Sequence, residues 1–412
     1  MAFGGTLWML ILYLTIFIHL LLLVWGIYYN LARTHLPRGI SRPVALILFN
    51  FLVGYGFVLA GILEKLGICH RYSIIRAICL FIPKMKDPKL IIRDLVFDGV
   101  PVRVYWPKTS PAGNRKGIIF LHGGVGLFAS IRTSARICHS LAHGTDSVVM
   151  CVEFRLAPEH PYPVPVQDCL TAAIHFLKNA KEYGVDPSRI AIVGESSGGT
   201  FAAAVCQELV TREDLPRVRA QVLVYPFLQT VDFDLPSYQQ NHTVPPLFRK
   251  RGVKFGLTYL TGKKINVDGI LKGAHVPPVL REKYKKWISA DNIPEEFKAR
   301  GYVPKAPAPF SEELYEQVKR AGETMFSPLL AEDDIIRQLP ETFILTCEYD
   351  VLRDDGLLYK KRLEDNGVPV TWFHVQDGFH GIMAMAGWRS IEFPSTQKCL
   401  QNVIHFFKGL YK

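Results

Sequence analysis

Six short, mostly apolar runs recur along the central and C-terminal parts of the chain. They are residues 117–121, 148–154, 190–193, 220–224, 341–346 and 370–375. Apolar runs of this length, without regular polar alternation, are typical of strands buried on both faces of a parallel sheet. A helix-like stretch of small and apolar residues follows one of them at 200–209. The pattern predicts an α/β fold in which a mostly parallel central sheet is flanked by helices.

The longest apolar run lies near the N-terminus. Residues 3–29 include no Asp, Glu, Lys or Arg, and about 20 apolar residues are enough for a helix to cross a bilayer. A cleavable signal peptide is the alternative, but it would have a shorter apolar part, a basic start and a small-residue cleavage site. Bulky Trp25, Tyr28 and Tyr29 close this run instead. We therefore expect residues 1–30 to form an uncleaved transmembrane anchor.

A second apolar run, 44–63, is interrupted only by Asn50. It fits either a helix that lies on the folded core or a second helix embedded in the membrane. Arg33, Arg38 and Arg42 lie between the two runs, and basic loops tend to stay in the cytosol. If both runs span the membrane and the loop between them is cytosolic, the rest of the chain is lumenal. If only the first run spans it, the charge of the residues after that run favours a cytosolic position for the rest of the chain.

A serine lies between the third apolar run and the helix-like stretch that follows it. Residues 194–199 are Gly-Glu-Ser-Ser-Gly-Gly, and Gly-x-Ser-x-Gly between a strand and a helix is typical of a nucleophile elbow. Gly194 and Gly198 permit the sharp turn that exposes the hydroxyl of Ser196. Ser197 lacks glycines at both two-residue offsets, so we expect its amide to serve an oxyanion hole.

A serine nucleophile also requires backbone donors for the oxyanion, and a second glycine motif offers them. His122, Gly123 and Gly124 follow the run 117–121. Glycines let backbone N–H groups approach a developing oxyanion without a side chain in the way. We expect the amides of Gly123, Gly124 and Ser197 to donate, with His122 supporting the motif.

These motifs resemble those of a known family. His-Gly-Gly, then Phe-Arg-Leu-Ala-Pro-Glu at 154–159, then Gly-Glu-Ser-Ser-Gly-Gly resemble the hormone-sensitive-lipase branch of the α/β-hydrolases. Within that branch, the uncharged N-terminal stretch and Cys-Glu-Tyr-Asp-Val-Leu-Arg-Asp-Asp-Gly at 347–356 resemble arylacetamide deacetylase and its relatives. The likeness runs from about residue 102 to the C-terminus. It implies the α/β-hydrolase fold, with serine, acid and histidine in that order along the chain.

The family order indicates which residues complete the triad. Asp350 follows the run 341–346, and His380 follows 370–375 in an Asp-Gly-Phe-His-Gly loop. Catalytic groups collect at the carboxyl ends of strands in open α/β sheets. By resemblance, Asp350 orients His380, and His380 takes the proton from Ser196.

Other titratable residues nearby compete for these roles. Asp354 and Asp355 stand at the start of a predicted helix, where surface carboxylates are common. His374 lies among apolar neighbours within a strand and is interpreted as a packed core histidine. Glu195 and Asp377 are interpreted as carboxylates that stabilise turns.

The chain departs from the family pattern beside the glycine motif. The family usually has a third glycine after His-Gly-Gly, where this chain has Val125. A β-branched side chain restricts the backbone and is expected to narrow the acyl pocket, so that activity is low, selective or lost. The cysteine that relatives often carry soon afterwards is replaced by Leu127 and Phe128, so the usual partner of Cys347 is missing.

The strand pattern is interrupted from Leu228 to about Met325, where proline turns, basic clusters and aromatic residues replace it. The aromatic residues supply too much apolar area for a loose surface loop. We expect a largely helical cap over the site, with part of the N-terminal segment as its other half. The expected divisions are the anchor 1–30, an N-terminal cap segment 31–95, a first core part 96–227, the cap insertion 228–325 and a second core part 326–412.

Charge and cysteine content exclude several classes of function. The net charge is +11 over 412 residues, but the basic residues are dispersed and no recognition motif accompanies them, so nucleic acid is not an expected partner. Eight cysteines include no CxxC pair, so no metal site is expected, and ester hydrolysis by a serine needs no cofactor. Cys69, Cys79, Cys347 and Cys399 are candidates for pairing in an oxidising compartment.

Two observations bear on localisation. Asn241, His242 and Thr243 form an acceptor sequence for N-glycosylation, which favours the lumen. The family resemblance also implies a lumenal domain. We therefore expect a protein of the endoplasmic reticulum membrane with a lumenal catalytic part and Asn241 as the glycosylation candidate.

Together these patterns predict a membrane-anchored serine hydrolase that cleaves carboxylic esters of apolar substrates. Acylglycerols and aryl or alkyl acetates are favoured, because an apolar cap beside a bilayer admits substrates that partition there. Arylacetamides are added by the resemblance. The alternative is a catalytically impaired protein with the hydrolase fold that binds lipid or a protein partner, and Val125 is the residue in its favour.

Overall fold

The computed structural model describes residues 2–80, 85, 87–109, 113–386 and 393–411. Within these residues one sheet of eight strands has the order β1-β2-β4-β3-β5-β6-β7-β8. The strands are β1 (Leu90–Phe97), β2 (Val100–Pro107), β3 (Arg115–Leu121), β4 (Ser147–Val152), β5 (Val185–Glu195), β6 (Ala220–Val224), β7 (Glu341–Tyr349) and β8 (Val370–Phe379). Strand β2 is antiparallel to β1 and β4, and the remaining neighbours are parallel. The prediction of a mostly parallel central sheet is confirmed.

Fourteen α-helices lie within the described residues. They are α1 (Ala2–Arg33), α2 (Pro43–Lys65), α3 (Arg71–Leu80), α4 (Ile131–Thr145), α5 (Val164–Lys178), α6 (Ser197–Leu209), α7 (Pro236–Gln240), α8 (Arg249–Thr261), α9 (Val267–Leu271), α10 (Pro278–Lys285), α11 (Glu312–Val318), α12 (Asp333–Ile336), α13 (Arg353–Asp365) and α14 (Pro394–Leu410). Short 3₁₀ turns occupy Ala180–Tyr183, Ala290–Asn292, Glu295–Phe297, Lys319–Gly322, Pro328–Leu330 and Ile382–Met385.

The sheet separates two apolar cores. Successive strand residues point to opposite faces, so Ile119 belongs to a core that includes α5, α6 and α13, while Ile118 belongs to a core that includes α4 and α14. All residues of β4 and β6 are buried. Burial on both faces explains why these strands are continuous apolar runs rather than alternating ones.

The segment between β6 and β7 is mostly helical in its central part. It contains α7 to α12, and its Tyr259 and Trp287 side chains are buried. Tyr259 packs against Phe201 of α6, with ring centroids 5.7 Å apart. This packing holds the helical segment against the end of the sheet where β5 terminates.

The two N-terminal helices differ in their contacts. Both α1 and α2 have the length and composition of a membrane span, but none of the Trp8–Tyr28 stretch is buried. In α2, Leu46 is buried in the core that contains α4 and α14, and Phe57 contacts Phe128 and Phe255. Helix α2 therefore lies along the folded domain, which agrees with the interpretation of 44–63 as a helix on the core.

Candidate active site

Ser196 lies on the turn between β5 and α6. Its φ of 55° and ψ of −125° are unusual for a residue other than glycine, and such strain at a strand-to-helix turn exposes a hydroxyl above the sheet. The Ser196 amide donates to the Val224 carbonyl of the neighbouring strand over 2.9 Å. The strained turn is therefore tied to the sheet.

The two glycines around Ser196 are required by close backbone packing. A Cβ at Gly194 would collide with the carbonyl of Gly198, and a Cβ at Gly198 would collide with the carbonyl of Leu121. The motif thus fits the elbow for a steric reason, because a side chain at Gly194 would force α6 away from β5 and a side chain at Gly198 would force α6 away from the end of β3.

Ser196 hydrogen-bonds to His380, which in turn hydrogen-bonds to Asp350. Asp350 Oδ2 lies 2.8 Å from His380 Nδ1, and a carboxylate only accepts, so Nδ1 carries the proton. His380 Nε2 then accepts from Ser196 Oγ over 2.8 Å. Asp350 is fully buried, and its Oδ1 accepts from the Leu352 amide at 2.9 Å. The chain order and the carboxyl ends of β5, β7 and β8 bring these three residues together as predicted.

The competing acids lie at the start of α13, as the sequence predicts, but not on the surface. The expectation that Asp354 and Asp355 are surface carboxylates is wrong, because both side chains are fully buried. Asp354 accepts from the Ser237 amide over 2.6 Å, and Asp355 accepts from the Leu228 amide over 2.8 Å. These bonds fasten α13 to the segment after β6, and neither of them involves His380.

His374 also lies apart from the triad. Its Nδ1 is 2.9 Å from Thr346 Oγ1, and its Nε2 is 3.2 Å from Glu348 Oε2. The ring contacts Phe297 and Trp372, with centroids 5.2 and 5.6 Å away. Both nitrogens are engaged, so His374 has a packing role beside β7.

The glycine loop approaches Ser196 closely. A Cβ at Gly123 would come within 3.1 Å of Ser196 Cβ, and Gly124 has a φ of 94° that favours glycine. His122 is buried, stacks on Phe154 at 4.1 Å and donates from Nδ1 to the Gly123 carbonyl over 2.9 Å. Burial lowers the pKa of His122 to about 4, so the ring is neutral at neutral pH. His122 thus supports the loop without adding charge.

Glu195 is buried beside Gly123. Burial raises the pKa of Glu195, and the hydrogen bond from Tyr225 opposes this effect. The Tyr225 hydroxyl donates to Glu195 Oε2 over 2.8 Å.

Val125 makes a hydrogen bond that the sequence motif does not predict. Its φ is 57°, in the left-handed region, and its amide donates to Ser197 Oγ over 2.7 Å. Val125, Ser196 and Ser197 line the same pocket. The hydroxyl of Ser197, as well as its amide, therefore belongs to the site.

Asn241, the glycosylation candidate, lies inside the folded chain and not on its surface. The side chain is fully buried, and Nδ2, the atom that would carry a glycan, donates to the carbonyls of Glu348 and Asp350 over 3.0 and 2.9 Å. Its Oδ1 accepts from Arg300 Nη2 over 3.1 Å. Asn241 instead fastens the end of α7 to the loop that carries Asp350.

Every one of the eight cysteines is a free thiol. Cys347 and Cys399 are buried, and desolvation raises the pKa of both thiols. The pairing considered for Cys69, Cys79, Cys347 and Cys399 is therefore not present in the structure.

An apolar pocket opens at Ser196 and continues under the helical segment. It has a cavity volume of about 70 Å³. Gly252, Val253, Gly256, Leu257 and Leu260 of α8 form much of one wall. Their neighbours Lys250, Arg251, Lys254 and Phe255 line a second groove together with residues of α1 and α2. Helix α8 therefore separates the pocket at Ser196 from a groove beside the N-terminal helices.

Comparison with known proteins agrees with this geometry. The model of the alpha/beta hydrolase fold family matches residues 118–272 and 274–384. Arylacetamide deacetylase-like 4 of Homo sapiens is 45% identical over 387 residues, covering 94% of this chain and 95% of that protein. Arylacetamide deacetylase of Bos taurus is 37% identical over 361 residues, covering 85% and 89%.

A solved structure supports the fold independently. EstE1, a thermophilic carboxylesterase cloned from a metagenomic library, superimposes with a TM-score of 0.62 at 24% identity, covering 83% of this chain and 98% of that one. The chain belongs to the arylacetamide deacetylase family of the α/β-hydrolases and is a carboxylic ester hydrolase.

Proposed function

We propose that this chain is a membrane-anchored serine esterase with Ser196 as nucleophile, His380 as general base and acid, and Asp350 as the group that orients His380. The observation that carries the proposal is the pair of 2.8 Å contacts from Ser196 to His380 and from His380 to Asp350. A serine hydroxyl is a weak nucleophile until an oriented base accepts its proton.

The proposed reaction has two halves. Ser196 Oγ attacks the ester carbonyl while His380 Nε2 takes its proton, and the resulting imidazolium is stabilised by the Asp350 carboxylate. His380 then returns the proton to the leaving alcohol, which leaves an acyl group on Ser196. In the second half, His380 deprotonates a water that attacks this acyl group, and the acid leaves as Ser196 regains its proton. The proposed steps involve no cofactor.

The oxyanion is assigned to the amides of Gly123, Gly124 and Ser197. The close approach of Gly123 to Ser196 supports this assignment. The Ser197 amide is the first of helix α6 and directly follows the turn at Ser196.

The proposed substrates are apolar esters with short acyl groups. The pocket beside Ser196 is lined almost entirely by apolar side chains, including Phe227, Leu257 and Phe326, and its volume suits a small acyl group such as acetyl. Aryl and alkyl acetates fit this description, and the family adds arylacetamides. Acylglycerols with long chains require the wall formed by α8 to move outwards.

Segments 31–95 and 228–325 are proposed to form the cap. Phe57 of the first segment and Phe255 of the second contact each other at 5.6 Å, and Phe128 beside the glycine loop contacts both. This aromatic cluster supports a cap built from two separate parts of the chain.

Membrane attachment is proposed through α1, with α2 at the bilayer surface. Val44, Leu48 and Leu52 form an exposed apolar row at four-residue spacing on α2. The opposite face of α2 contacts the folded domain through Leu46 and Phe57. An interfacial position buries the exposed row without requiring the domain to enter the bilayer.

The endoplasmic reticulum, with a lumenal catalytic part, is the proposed location. The family resemblance supports it, whereas Arg33, Arg38 and Arg42 after α1 weigh towards a cytosolic domain by charge. Protease digestion of sealed microsomes containing a C-terminally tagged chain distinguishes the two. Protection that is lost on adding detergent supports the lumen, and digestion of the tag in sealed microsomes contradicts it.

The catalytic proposal is tested with a fluorophosphonate probe on membranes carrying wild type, Ser196→Ala or Ser197→Ala. Labelling is expected for wild type and Ser197→Ala but not for Ser196→Ala, and ester turnover should follow the same pattern. Turnover by Ser196→Ala equal to wild type would refute the assigned nucleophile. Well-folded wild type that neither reacts with the probe nor hydrolyses esters would favour the lipid-binding or partner-binding alternative.

A further inference from the structure

The pocket at Ser196 contains a buried histidine, His275, that the proposed reaction does not use. His275 follows α9, is buried and lines this pocket together with Ser196. Its ring stacks on Phe233, with centroids 6.2 Å apart and an interplanar angle of 25°. His275 is thus a buried imidazole in a site whose walls are otherwise mainly apolar.

The hydrogen bond of His275 fixes its tautomer. Its Nε2 lies 2.8 Å from the carbonyl oxygen of Thr230, and a carbonyl only accepts, so Nε2 carries the hydrogen. Burial lowers the pKa of His275 to about 4, and nearby Arg281 acts in the same direction. At neutral pH the ring is therefore neutral, and Nδ1 carries a lone pair.

That lone pair has no partner among the described residues. Of the buried side-chain nitrogens and oxygens that line the pocket there, two have no hydrogen-bond partner, His275 Nδ1 and Arg249 Nε. Arg249 Nε can only donate. Thr230 Oγ1 donates to the Ala321 carbonyl over 3.0 Å, and the Tyr238 hydroxyl donates to Asp355 over 3.1 Å. Among the described residues that line this pocket, His275 Nδ1 is therefore the buried hydrogen-bond acceptor that has no partner.

Buried acceptors usually have partners, and an orphan one calls for an explanation. A water at Nδ1 would find few further partners against apolar walls, and an ordered buried water normally makes about three hydrogen bonds. A ligand group that donates to Nδ1 does not have this difficulty, because its other atoms contact the apolar walls. Since Nδ1 has almost no accessible surface in the structure, the side chains around it must shift slightly for that group to reach it.

We propose that His275 is a specificity-determining residue, whose Nδ1 accepts a hydrogen bond from a neutral O–H or N–H group of the substrate. The enzyme then prefers esters that carry a hydroxyl or amide N–H over apolar esters of the same size. This inference rests on the proposed function of Ser196. The physical reason is that an apolar group in the same place leaves a buried acceptor unpaired, and sites built to bind a donor reject analogues that lack it.

The test compares matched pairs of esters. On the alcohol side the pair is hydroxypropyl acetate and butyl acetate, and on the acyl side the para-nitrophenyl esters of hydroxypropanoate and butanoate. Acetamidoethyl acetate against 4-methylpentyl acetate tests an N–H donor separately from an O–H donor. We expect wild type to favour the donor-bearing member of at least one pair about tenfold in kcat/KM, as one hydrogen bond implies. A ratio near one for all pairs would overturn the inference.

Variants of His275 connect the preference to this side chain. In His275→Gln the side-chain amide can still donate to the Thr230 carbonyl, but there is no acceptor at the Nδ1 position. In His275→Asn a polar atom remains near that position. The wild-type preference should fall to near one in His275→Gln and be partly retained in His275→Asn, and an unchanged ratio in His275→Gln would overturn the assignment.

Failure of this inference is distinguishable from failure of the proposed function. Wild type that hydrolyses both members of every pair equally refutes the role of His275 and leaves Ser196 as the nucleophile. Wild type that hydrolyses neither member of any pair refutes both. Since the wild-type ratio is itself decisive, the test does not depend on His275→Gln folding.

Discussion

The backbone N–H of Val125 donates a hydrogen bond to Ser197 Oγ over 2.7 Å. The two residues belong to the two loops that meet at Ser196, one after β3 and one at the start of α6. Val125 is held with a φ of 57°, in the left-handed region that glycine adopts without strain. An amide beside Ser196 is therefore occupied by a neighbouring hydroxyl and is not free to bind an oxyanion.

Removing that hydroxyl should make an additional donor available. Ser197→Ala deletes the acceptor of the Val125 amide but keeps the Ser197 amide in place. One oxyanion donor is typically worth a factor of about 100 to 1,000 in kcat, and we expect part of this, about three- to tenfold in kcat/KM for a short ester. Steady-state kinetics of para-nitrophenyl acetate hydrolysis provides the measurement.

The matched control for Ser197→Ala is Ser197→Thr. This variant keeps a hydroxyl at the same position, so its kcat/KM should stay closer to that of wild type. A fall in kcat/KM for Ser197→Ala, with recovery in Ser197→Thr, would show that the hydroxyl assists catalysis and that the amide of Val125 is not a latent donor.

Replacing Val125 itself separates strain from steric restriction. A residue other than glycine in the left-handed region costs about 1–2 kcal/mol, and the Val125 side chain lines the pocket. We expect Val125→Gly to increase turnover of butanoate relative to acetate and to retain the thermal stability of wild type. Val125→Ala also enlarges the pocket but keeps a Cβ, so it should share the change in chain-length preference and gain no relief of strain.

The measurements for these variants are a series of para-nitrophenyl esters and thermal unfolding in detergent. An unchanged chain-length preference in both variants would mean that Val125 does not limit the acyl pocket. A Val125→Gly variant that is less stable than Val125→Ala by the usual cost of glycine, about 0.5–1 kcal/mol, would mean that the positive φ carries little strain.

Local sequence signals predict the sheet, which the structure confirms, and they indicate the three residues of the proposed triad. The turn at Ser196 needs glycines at two fixed positions, whereas Asp350 and His380 each follow a buried strand and are assigned by the family order of serine, acid and histidine. The burial of Asp354 and Asp355 was not predictable, since their partners Ser237 and Leu228 are more than 100 residues away in the chain. Local patterns report the element a residue belongs to, but not what a distant segment places against it.

The same reason explains two further results. Asn241 satisfies a three-residue glycosylation pattern, yet its burial depends on Glu348 and Asp350 from the other side of the insertion. His275 has no motif at all, and its significance depends on the Thr230 carbonyl and on a pocket formed by several helices. Neither environment is encoded within a short window of sequence.

Asp355 should give the stability of the protein a distinctive pH dependence. Burial raises the pKa of Asp355 to about 7, against the effect of donors from Leu228, Gln229 and Tyr238. Between about pH 4 and pH 7 the folded chain therefore binds a proton that the unfolded chain has released. Because the folded state binds more protons, the contribution of Asp355 to the free energy of unfolding decreases as pH rises through this window.

The variant Asp355→Asn removes this titration. We expect the melting temperature of wild type, measured in detergent, to fall more steeply between pH 5 and pH 7.5 than that of Asp355→Asn. The comparison uses the slope rather than the absolute stability, because the amide of the variant also repels one of the donors. Parallel slopes for the two proteins would show that Asp355 does not titrate in this range.

Asn241 should act as a support for the acid loop and not as a glycan acceptor. Asn241→Asp keeps the size of the side chain but turns an acceptor towards the carbonyls of Glu348 and Asp350. Leaving these groups unpaired is expected to cost about 1–3 kcal/mol of stability. It should also lower kcat more than it changes KM, because Asp350 orients His380 while the pocket that binds the ester is unchanged.

Thr243→Ala provides the decisive control, since it destroys the acceptor sequence and leaves Asn241 in place. Thr243 contributes only a long, exposed contact of 3.4 Å to the His35 carbonyl, so the variant should match wild type in activity and melting temperature. Glycosidase treatment should leave the electrophoretic migration of both proteins unchanged. A glycosidase-sensitive form of wild type that disappears in Thr243→Ala would contradict the buried position of Asn241. Suppose that glycosidase does not change the migration of either protein and that only Asn241→Asp loses activity. The equal size of the Asp side chain is then not enough, and the hydrogen bonds that Asn241 donates to the Asp350 loop are required for activity.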